Sequence, residues 1–298
     1  MIKQGFFLVF ILALIWSCKP ESSAVVDIEE IPGPKLLRDL PEIRSEGTLV
    51  LLTENTSSSY YLFQGRPMGY DFELIKRFAE DHNLKFKVRV IDDLNAMFDM
   101  LNNGEGDLIA CNLTITPERS EYLYFSEPIM HTRQVLVQRK PENYKSLNAK
   151  QLDTMLVRQI SQLAGKKVYV HQFSTYYRRL VQIEGEIAEP INIRPAEGDF
   201  TTEDLIRMVA DGEIDYTITD ENQGILNAAY YRNLDVKTVL SENEPIAIAV
   251  RNNSDSLLLA LNTWLSGKKT QKFNHFLEKK YFHAVNEQRS RFESDFSS

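Results

Sequence analysis

One short phrase occurs twice in this chain, and it constrains the fold more than any other feature. Asn102-Asn103-Gly104-Glu105-Gly106-Asp107 and Ala210-Asp211-Gly212-Glu213-Ile214-Asp215 each separate an amphipathic stretch from a short apolar run. Each also closes a series in which apolar runs alternate with helical periodicity. In the first series Thr48 to Thr53 reads as a buried strand, Lys85 to Val90 as a second and Leu108 to Cys111 as a third. Between them lie two helix faces, Phe72, Ile75, Phe78 and Ala79 after a capping candidate at Asp71, then Leu94, Met97, Phe98 and Leu101. The second series runs from a strand at Lys167 to Val170 through a helix at Ser174 to Ile183 and a strand at Ile191 to Arg194. It continues with a helix at Asp204 to Ala210 and ends on a strand at Tyr216 to Thr219. A βαβαβ order covers a parallel sheet with helices, so the expected fold class is α/β, with two lobes of one architecture.

The register of the repeat marks a site. Aligning Gly104 with Gly212 sets Asn112 opposite Asp220, each just past a strand. Ligands of open α/β sheets sit beyond the carboxyl ends of the strands, so these two residues are expected to face each other across a cleft. After Asp220 the pattern gives a helix near Glu221 to Ala229, strands near Val236 to Leu240 and Ile246 to Val250, and two closing helices expected to return to the first lobe. The expected organisation is 47–138 with 244–283 as the first lobe, 139–243 as the second, and 284–298 as a polar tail. Residues 19–46, rich in Pro, Ser, Glu and Asp, read as a tether, with regular structure beginning at Gly47.

Lys3 precedes an apolar run from Gly5 to Trp16 that ends at Ser17-Cys18. The run falls short of the roughly 20 apolar residues of a spanning helix and reads as a signal-peptide core. Leu14-Ile15-Trp16-Ser17-Cys18 resembles a bacterial lipobox, so residues 1–18 are expected to be a lipoprotein signal peptide, with Cys18 lipidated. A non-cleaved anchor and a plain secretory signal are the alternatives. The lipid-anchored reading puts the protein on the periplasmic side of a membrane, the outer membrane foremost. With Cys18 lipidated, Cys111 has no disulfide partner and reads as a small core residue. The net charge of -8 gives no sign of a nucleic-acid binder, which usually carries a basic stripe, so no nucleic-acid partner is expected. The five histidines show no zinc spacing, so neither metal nor cofactor is expected.

Asn112-Leu113-Thr114-Ile115-Thr116-Pro117-Glu118-Arg119 is the most specific stretch. Thr116 suits an N-cap and Pro117 the first helical position. A helix start after a strand favours an anion, and the Thr114 hydroxyl adds a donor. Arg119 lies in the first turn, where the helix dipole opposes a cation unless an anion accompanies it. Its guanidinium can hold a carboxylate through two parallel hydrogen bonds. The alternative is a surface arginine paired with Glu118 or Glu121.

This stretch, with Phe125-Ser126-Glu127-Pro128, resembles the signature of the family 3 extracellular solute-binding proteins, the amino-acid receptors of bacterial ABC importers. The resemblance runs from about Gly47 to Phe282. It implies the two-lobe periplasmic-binding-protein type II fold, with the ligand cleft between the lobes. It further implies that Arg119 binds the ligand carboxylate with help from Thr114 and Asn112, and that Asp220 receives the ammonium. Tyr60 or Phe63 would pack on the ligand side chain. The second-lobe anion loop of the family would fall on Gln172-Phe173-Ser174-Thr175, with Phe173 where the family has glycine. Ser174 reads equally as a simple helix cap. Asn112 likewise stands where the family commonly has a small residue.

A subgroup is more similar still. Ser59-Tyr60-Tyr61, Gly212 to Asp220 and Tyr230-Tyr231-Arg232-Asn233-Leu234 resemble the N-terminal module of membrane-bound lytic murein transglycosylase F. There the binding module regulates a domain that cleaves peptidoglycan. With the sequence ending at Ser298, no catalytic domain is expected in this chain. Glu293-Ser294-Asp295-Phe296 imitates the catalytic Glu-Ser-x-Phe of such enzymes, but it lies in the polar tail and is not expected to act. The expectation is therefore a non-enzymatic binding module for an amino-acid-like or peptidoglycan-derived molecule, which senses a ligand for a transglycosylase domain. The alternative is a receptor that delivers an amino acid to an ABC permease. A catalytic derivative of the fold would need an acid–base carboxylate in the cleft, for which Glu54 is the candidate. If Cys18 carries the lipid, Cys18→Ser moves the protein from the membrane to the soluble fraction on cell fractionation; retention on membranes refutes the lipoprotein assignment.

Overall fold

Two five-stranded sheets with the same pattern of directions make up the protein, as seen in a computed structural model that describes residues 36–171, 174–196 and 200–283. The first sheet runs in the order Lys85–Val90, Thr48–Thr53, Leu108–Ile109, Ala249–Arg251, Leu123–Phe125. The second runs Asn192–Pro195, Lys167–Val170, Tyr216–Asp220, Gln134–Arg139, Leu234–Val239. In both, the first three strands are parallel and the last two pair antiparallel. The fourth strand of the first sheet, Ala249–Arg251, joins after the chain has crossed back, whereas all five strands of the second sheet lie between the two crossings. Between the lobes the chain passes twice, and the two passages pair with each other as Met130–Thr132 against Glu244–Ile246.

The repeated phrase is a helix stop followed by a strand start. Helices Leu94–Asn102 and Thr202–Asp211 both give way to a glycine in the left-handed region, Gly104 at φ 77° and Gly212 at φ 85°. The acid that follows differs between the lobes. Asp215 is exposed, whereas Asp107 is fully buried and accepts the Val50 N–H at 2.8 Å and the Arg38 Nε at 2.6 Å. Arg251, also fully buried, lies 3.6 Å from Asp107 and donates to the carbonyls of Leu101, Gly106 and Arg38. The start of the described chain is thereby tied to the strand Ala249–Arg251 of the first lobe.

Three expectations need correction. Residues 40–46 are not tether: Leu40–Glu46 is a helix with a capping box between Asp39 and Glu42, and Leu40 and Ile43 enter the first lobe's core. Asp39 also accepts the N–H groups of Ser256 and Leu257, both at 2.8 Å, and so serves the start of the helix Asp255–Leu265 as well. The boundary between lobes precedes Gln134, because Gln134–Arg139 pairs on both sides within the second sheet. Asp71 does not cap its helix. Helix Tyr70–Asp81 starts after Gly69, whose φ of 141° and approach to the Ser59 carbonyl leave no space for a Cβ.

The first lobe's core joins Leu49 and Leu51 to the helix face Leu74, Ile75 and Phe78, and to Leu257, Leu261 and Leu277 of the closing helices. Trp264 meets Phe78 edge-on at 5.4 Å. The second lobe packs apolar side chains on both faces of its sheet, Leu205, Ile206 and Val209 on one and Leu163, Leu180 and Ile183 on the other. Ile43→Ala is expected to lower unfolding free energy by about 2–5 kcal/mol in a urea titration, the cost of a core cavity; a residue of a solvated tether would cost nothing.

Candidate functional site

Strand Leu108–Ile109 ends under the cleft, and the chain turns there at Asn112, whose φ of 56° is one that asparagine tolerates better than most residues. The Asn112 N–H donates to the buried Asp71 carboxylate at 3.1 Å. Its side chain crosses to the other lobe, where Nδ2 donates to Asp220 Oδ2 at 2.5 Å and Oδ1 accepts from Asn222 Nδ2 at 2.7 Å. Asp220 ends the strand Tyr216–Asp220 and precedes the helix Glu221–Tyr230, but its carboxylate does not cap that helix. It faces the cleft, where Oδ2 also accepts the Tyr176 hydroxyl at 3.1 Å and Oδ1 is buried without a partner. Burial, reinforced by Glu244, pushes Asp220 up to about 7 against the opposing pull of Tyr176, Arg119 and Asn112.

The residues that follow Asn112 are fastened to the crossing strand. Ile115 donates its N–H to the Pro245 carbonyl at 3.0 Å, and Ala247 donates to the Leu113 carbonyl at 3.1 Å. Thr116 then caps the helix Pro117–Ser120, with Pro117 in its first turn. That helix has four residues, a single turn, so the expected attraction of an anion by its dipole has little to draw on. Arg119 donates Nη1 to the Thr114 carbonyl at 2.9 Å and forms no ion pair among the described residues. Burial depresses the Arg119 pKa. Neither surface partner considered for it takes that role. Glu118 instead pairs with Arg178 of the second lobe at 2.7 Å, and this bond, helped by a backbone N–H, holds the Glu118 carboxyl down at about 2.

Other contacts also span the lobes. Ser57 donates from both N and Oγ to Glu203, at 2.8 and 2.5 Å, and Gln223 Nε2 donates to Ser58 Oγ at 3.2 Å. Glu54 is pushed up to about 8 by burial and then by Asp92 and Asp71, with Arg119 opposing. Burial raises Asp71 to about 6. The Arg119 guanidinium thus acts on two raised carboxyl groups, Glu54 and Asp220, and Asp71 in turn acts on Glu54.

The remaining expected site residues fall as follows. Thr114 is buried beneath Arg119. Tyr60 packs edge-on against Phe72 at 5.3 Å. Phe63 lies 55% exposed on the hairpin Tyr61–Phe63 with Arg66–Met68. Ser174 caps the helix Thr175–Ile187, accepting from the Tyr177 N–H at 3.2 Å and donating to the His171 carbonyl at 2.6 Å, and Thr175 is that helix's first residue. Gln172, Phe173 and Cys18 lie outside the described residues. Sequence reasoning missed Asp71, Tyr176, Asn222, Glu203 and Arg178. For Asp71 a signal existed: it sits between Tyr70 and Phe72 on a face that is otherwise apolar.

The family model of the bacterial extracellular solute-binding proteins, family 3, matches residues 49–284. Among curated proteins, a membrane-bound lytic murein transglycosylase F from Desulfosudis oleivorans is 31% identical over 250 residues, covering 84% of this chain and 52% of that protein. One of the same name from Photobacterium profundum is 28% identical over 283 residues, covering 94% of this chain and 50% of that protein. The chain therefore spans about half the length of these relatives. Among solved structures, an ancestral arginine-binding protein bound to arginine superposes with a TM-score of 0.65 at 22% identity, covering 79% of this chain and 98% of that one. The arginine-bound form of truncated ArgBP from T. maritima gives 0.63 at 22% identity, with coverages of 75% and 97%. These likenesses show the fold, the two-lobe type II architecture of periplasmic binding proteins.

The carboxyl groups also set a pH dependence. Glu54, Asp71 and Asp220 titrate at about 8, 6 and 7 in the folded chain, above their ordinary values of 4.5, 3.8 and 3.8. Between those ordinary values and the folded ones the folded state binds more protons than the unfolded, so stability falls as pH rises. The melting temperature is expected to drop between about pH 5 and pH 8.5, and Glu54→Gln to shrink that drop by raising stability at the alkaline end. A flat profile in the wild type, or an unaltered slope in the variant, contradicts the buried-carboxyl account.

Proposed function

The chain belongs to the bacterial extracellular solute-binding proteins, family 3, and on that premise we propose that its inter-lobe cleft captures a small amino-acid-like or peptidoglycan-derived molecule. The observation that carries this reading is the pairing of a guanidinium without an ion-pair partner among the described residues, Arg119, with a buried carboxylate, Asp220, from the opposite lobe. A zwitterion needs one cation and one anion held a few ångströms apart. When each comes from a different lobe, binding and closure become one event, since a ligand favours the state in which both are in reach. Asp71, raised only to about 6, stays mostly ionised at neutral pH, whereas Glu54, at about 8, is mostly protonated there. A nearby cation draws Glu54 into its charged form, so electrostatic complementarity favours a ligand with a further cationic group.

In this reading Arg119 binds the ligand carboxylate, Thr114 supports the guanidinium, Asp220 receives the ammonium, and Tyr60 or Phe63 borders the ligand side chain. Ser174 and Thr175 contribute from the second lobe. The protein is exported and lipid-anchored at Cys18 on the periplasmic side of a membrane. The names of the curated relatives favour a sensory module, which reports ligand to a transglycosylase domain, over a transport receptor.

A thermal-shift screen of the protein from residue 19 onward, with L-amino acids and peptidoglycan-derived peptides, tests the reading. A ligand at about 100 times its Kd stabilises the fold by about 2.7 kcal/mol. Arg119→Ala is expected to abolish the shift for every carboxylate ligand; an undiminished shift removes Arg119 from the site. A response confined to wall peptides supports the sensor, and one to common amino acids the transport receptor. Silence across both sets overturns the ligand class.

A further inference from the structure

Asp220 is 3% exposed, and protein donors already occupy one of its oxygens. The Asn112 amide reaches Oδ2 from the facing lobe at 2.5 Å, and the Tyr176 hydroxyl reaches it from its own at 3.1 Å. Asn112 is held in that pose from two further sides, by Asp71 on its N–H and by Asn222 on its Oδ1. Its amide nitrogen therefore does what a ligand ammonium does: it points an N–H at the second lobe's buried carboxylate from the direction of the first lobe. The substitute is incomplete. Oδ1 of Asp220 is left buried and unpartnered, and a neutral amide brings no charge. An ammonium offers three N–H groups and a full positive charge.

We propose that Asn112 is an internal competitor for the ammonium position of this cleft, bridging the lobes through Asp220 and Asn222, so that a ligand must displace its amide to bind. The proposal rests on the reading of this cleft as a zwitterion site. It assigns Asn112 a role opposite to that of a ligand-holding residue, since the side chain lowers apparent affinity by occupying the position that the ligand needs. Its effect is also opposite to that of the other inter-lobe contacts. The Ser57–Glu203 bonds involve no atom of Asp220 and favour the closed state without competing for the carboxylate. Loss of an ordinary closing contact reduces the competent fraction and weakens binding, whereas loss of a competitor tightens it.

Asn112→Gly is the informative variant, because φ 56° suits glycine and the backbone N–H to Asp71 is retained. L-Arginine is the probe, chosen for the carboxyl surplus of the cleft, and binding is read by isothermal titration. Lobe separation is read by electron-resonance distances between spin labels on Leu259→Cys and Val181→Cys, exposed positions on opposite lobes. Asn112→Gly is expected to lengthen the inter-lobe distance before ligand is added and to tighten L-arginine binding by about tenfold or more. Glu203→Ala is expected to lengthen the distance but weaken binding. Affinity that is unchanged or weaker in Asn112→Gly, or a distance that does not change, overturns the proposal. If L-arginine binds neither wild type nor variant, the choice of ligand class fails, and the distance comparison alone decides whether Asn112 bridges the lobes.

Discussion

Everything in this protein hangs on a chain that crosses between two sheets and crosses back. The passages Met130–Thr132 and Glu244–Ile246 pair with each other, so the lobes share a hinge of two short strands. Each crossing also delivers a strand to the sheet it enters, Gln134–Arg139 to the second and Ala249–Arg251 to the first. The first sheet is not complete until the chain has crossed back. The hinge also organises the cleft, because segment 113–115 is hydrogen-bonded along Pro245 to Ala247. Arg119 and Asn112 are thereby fixed relative to the crossing strands. Two three-residue strands can absorb a rotation while both cores stay packed.

The cleft is built against stability. Buried carboxyls cost free energy unless paired, and Glu54, Asp71 and Asp220 form no ion pair among the described residues. Their raised pKa values are the expression of that cost. Elsewhere burial of charge is compensated: Asp107 meets Arg38 and Arg251, and Asp235 meets Arg158 at 2.6 Å. The contrast separates carboxyls that meet a cation within the fold from carboxyls that meet none among the described residues. The neutral Asn112 amide, held by Asn222, eases the mismatch at Asp220 without cancelling it.

How far the fold was legible can be read from particular elements. Helix Tyr70–Asp81 buries Phe72, Ile75, Phe78 and Ala79, the side chains whose spacing announced it, and Thr116 and Pro117 start a helix where their chemistry requires. Helix Leu40–Glu46 went unseen because two turns give too little periodicity to rise above a Pro-rich, acidic stretch. The lobe boundary was placed late because Val135 to Val137 continues an apolar run, and such a run does not say which sheet it joins. Of the candidate site residues, Asn112, Arg119 and Asp220 come together, Phe63 is exposed on a hairpin, and Asp71 and Tyr176 entered unannounced.

By itself the sequence determined the alternation of strands and helices, the duplication of that series, and the opposition of Asn112 to Asp220. All three follow from local apolar period, glycine punctuation and the register of a repeat, which neighbouring residues suffice to encode. Only the tertiary structure decided that Asn112 and Asp220 touch, that Asn222 and Tyr176 complete their hydrogen bonds, and that Glu118 pairs with Arg178 rather than Arg119. The Asn112–Asp220 contact joins residues 108 positions apart on different lobes. Its geometry is set by how two separately packed cores rotate about a shared hinge, and no local pattern of side chains carries that angle.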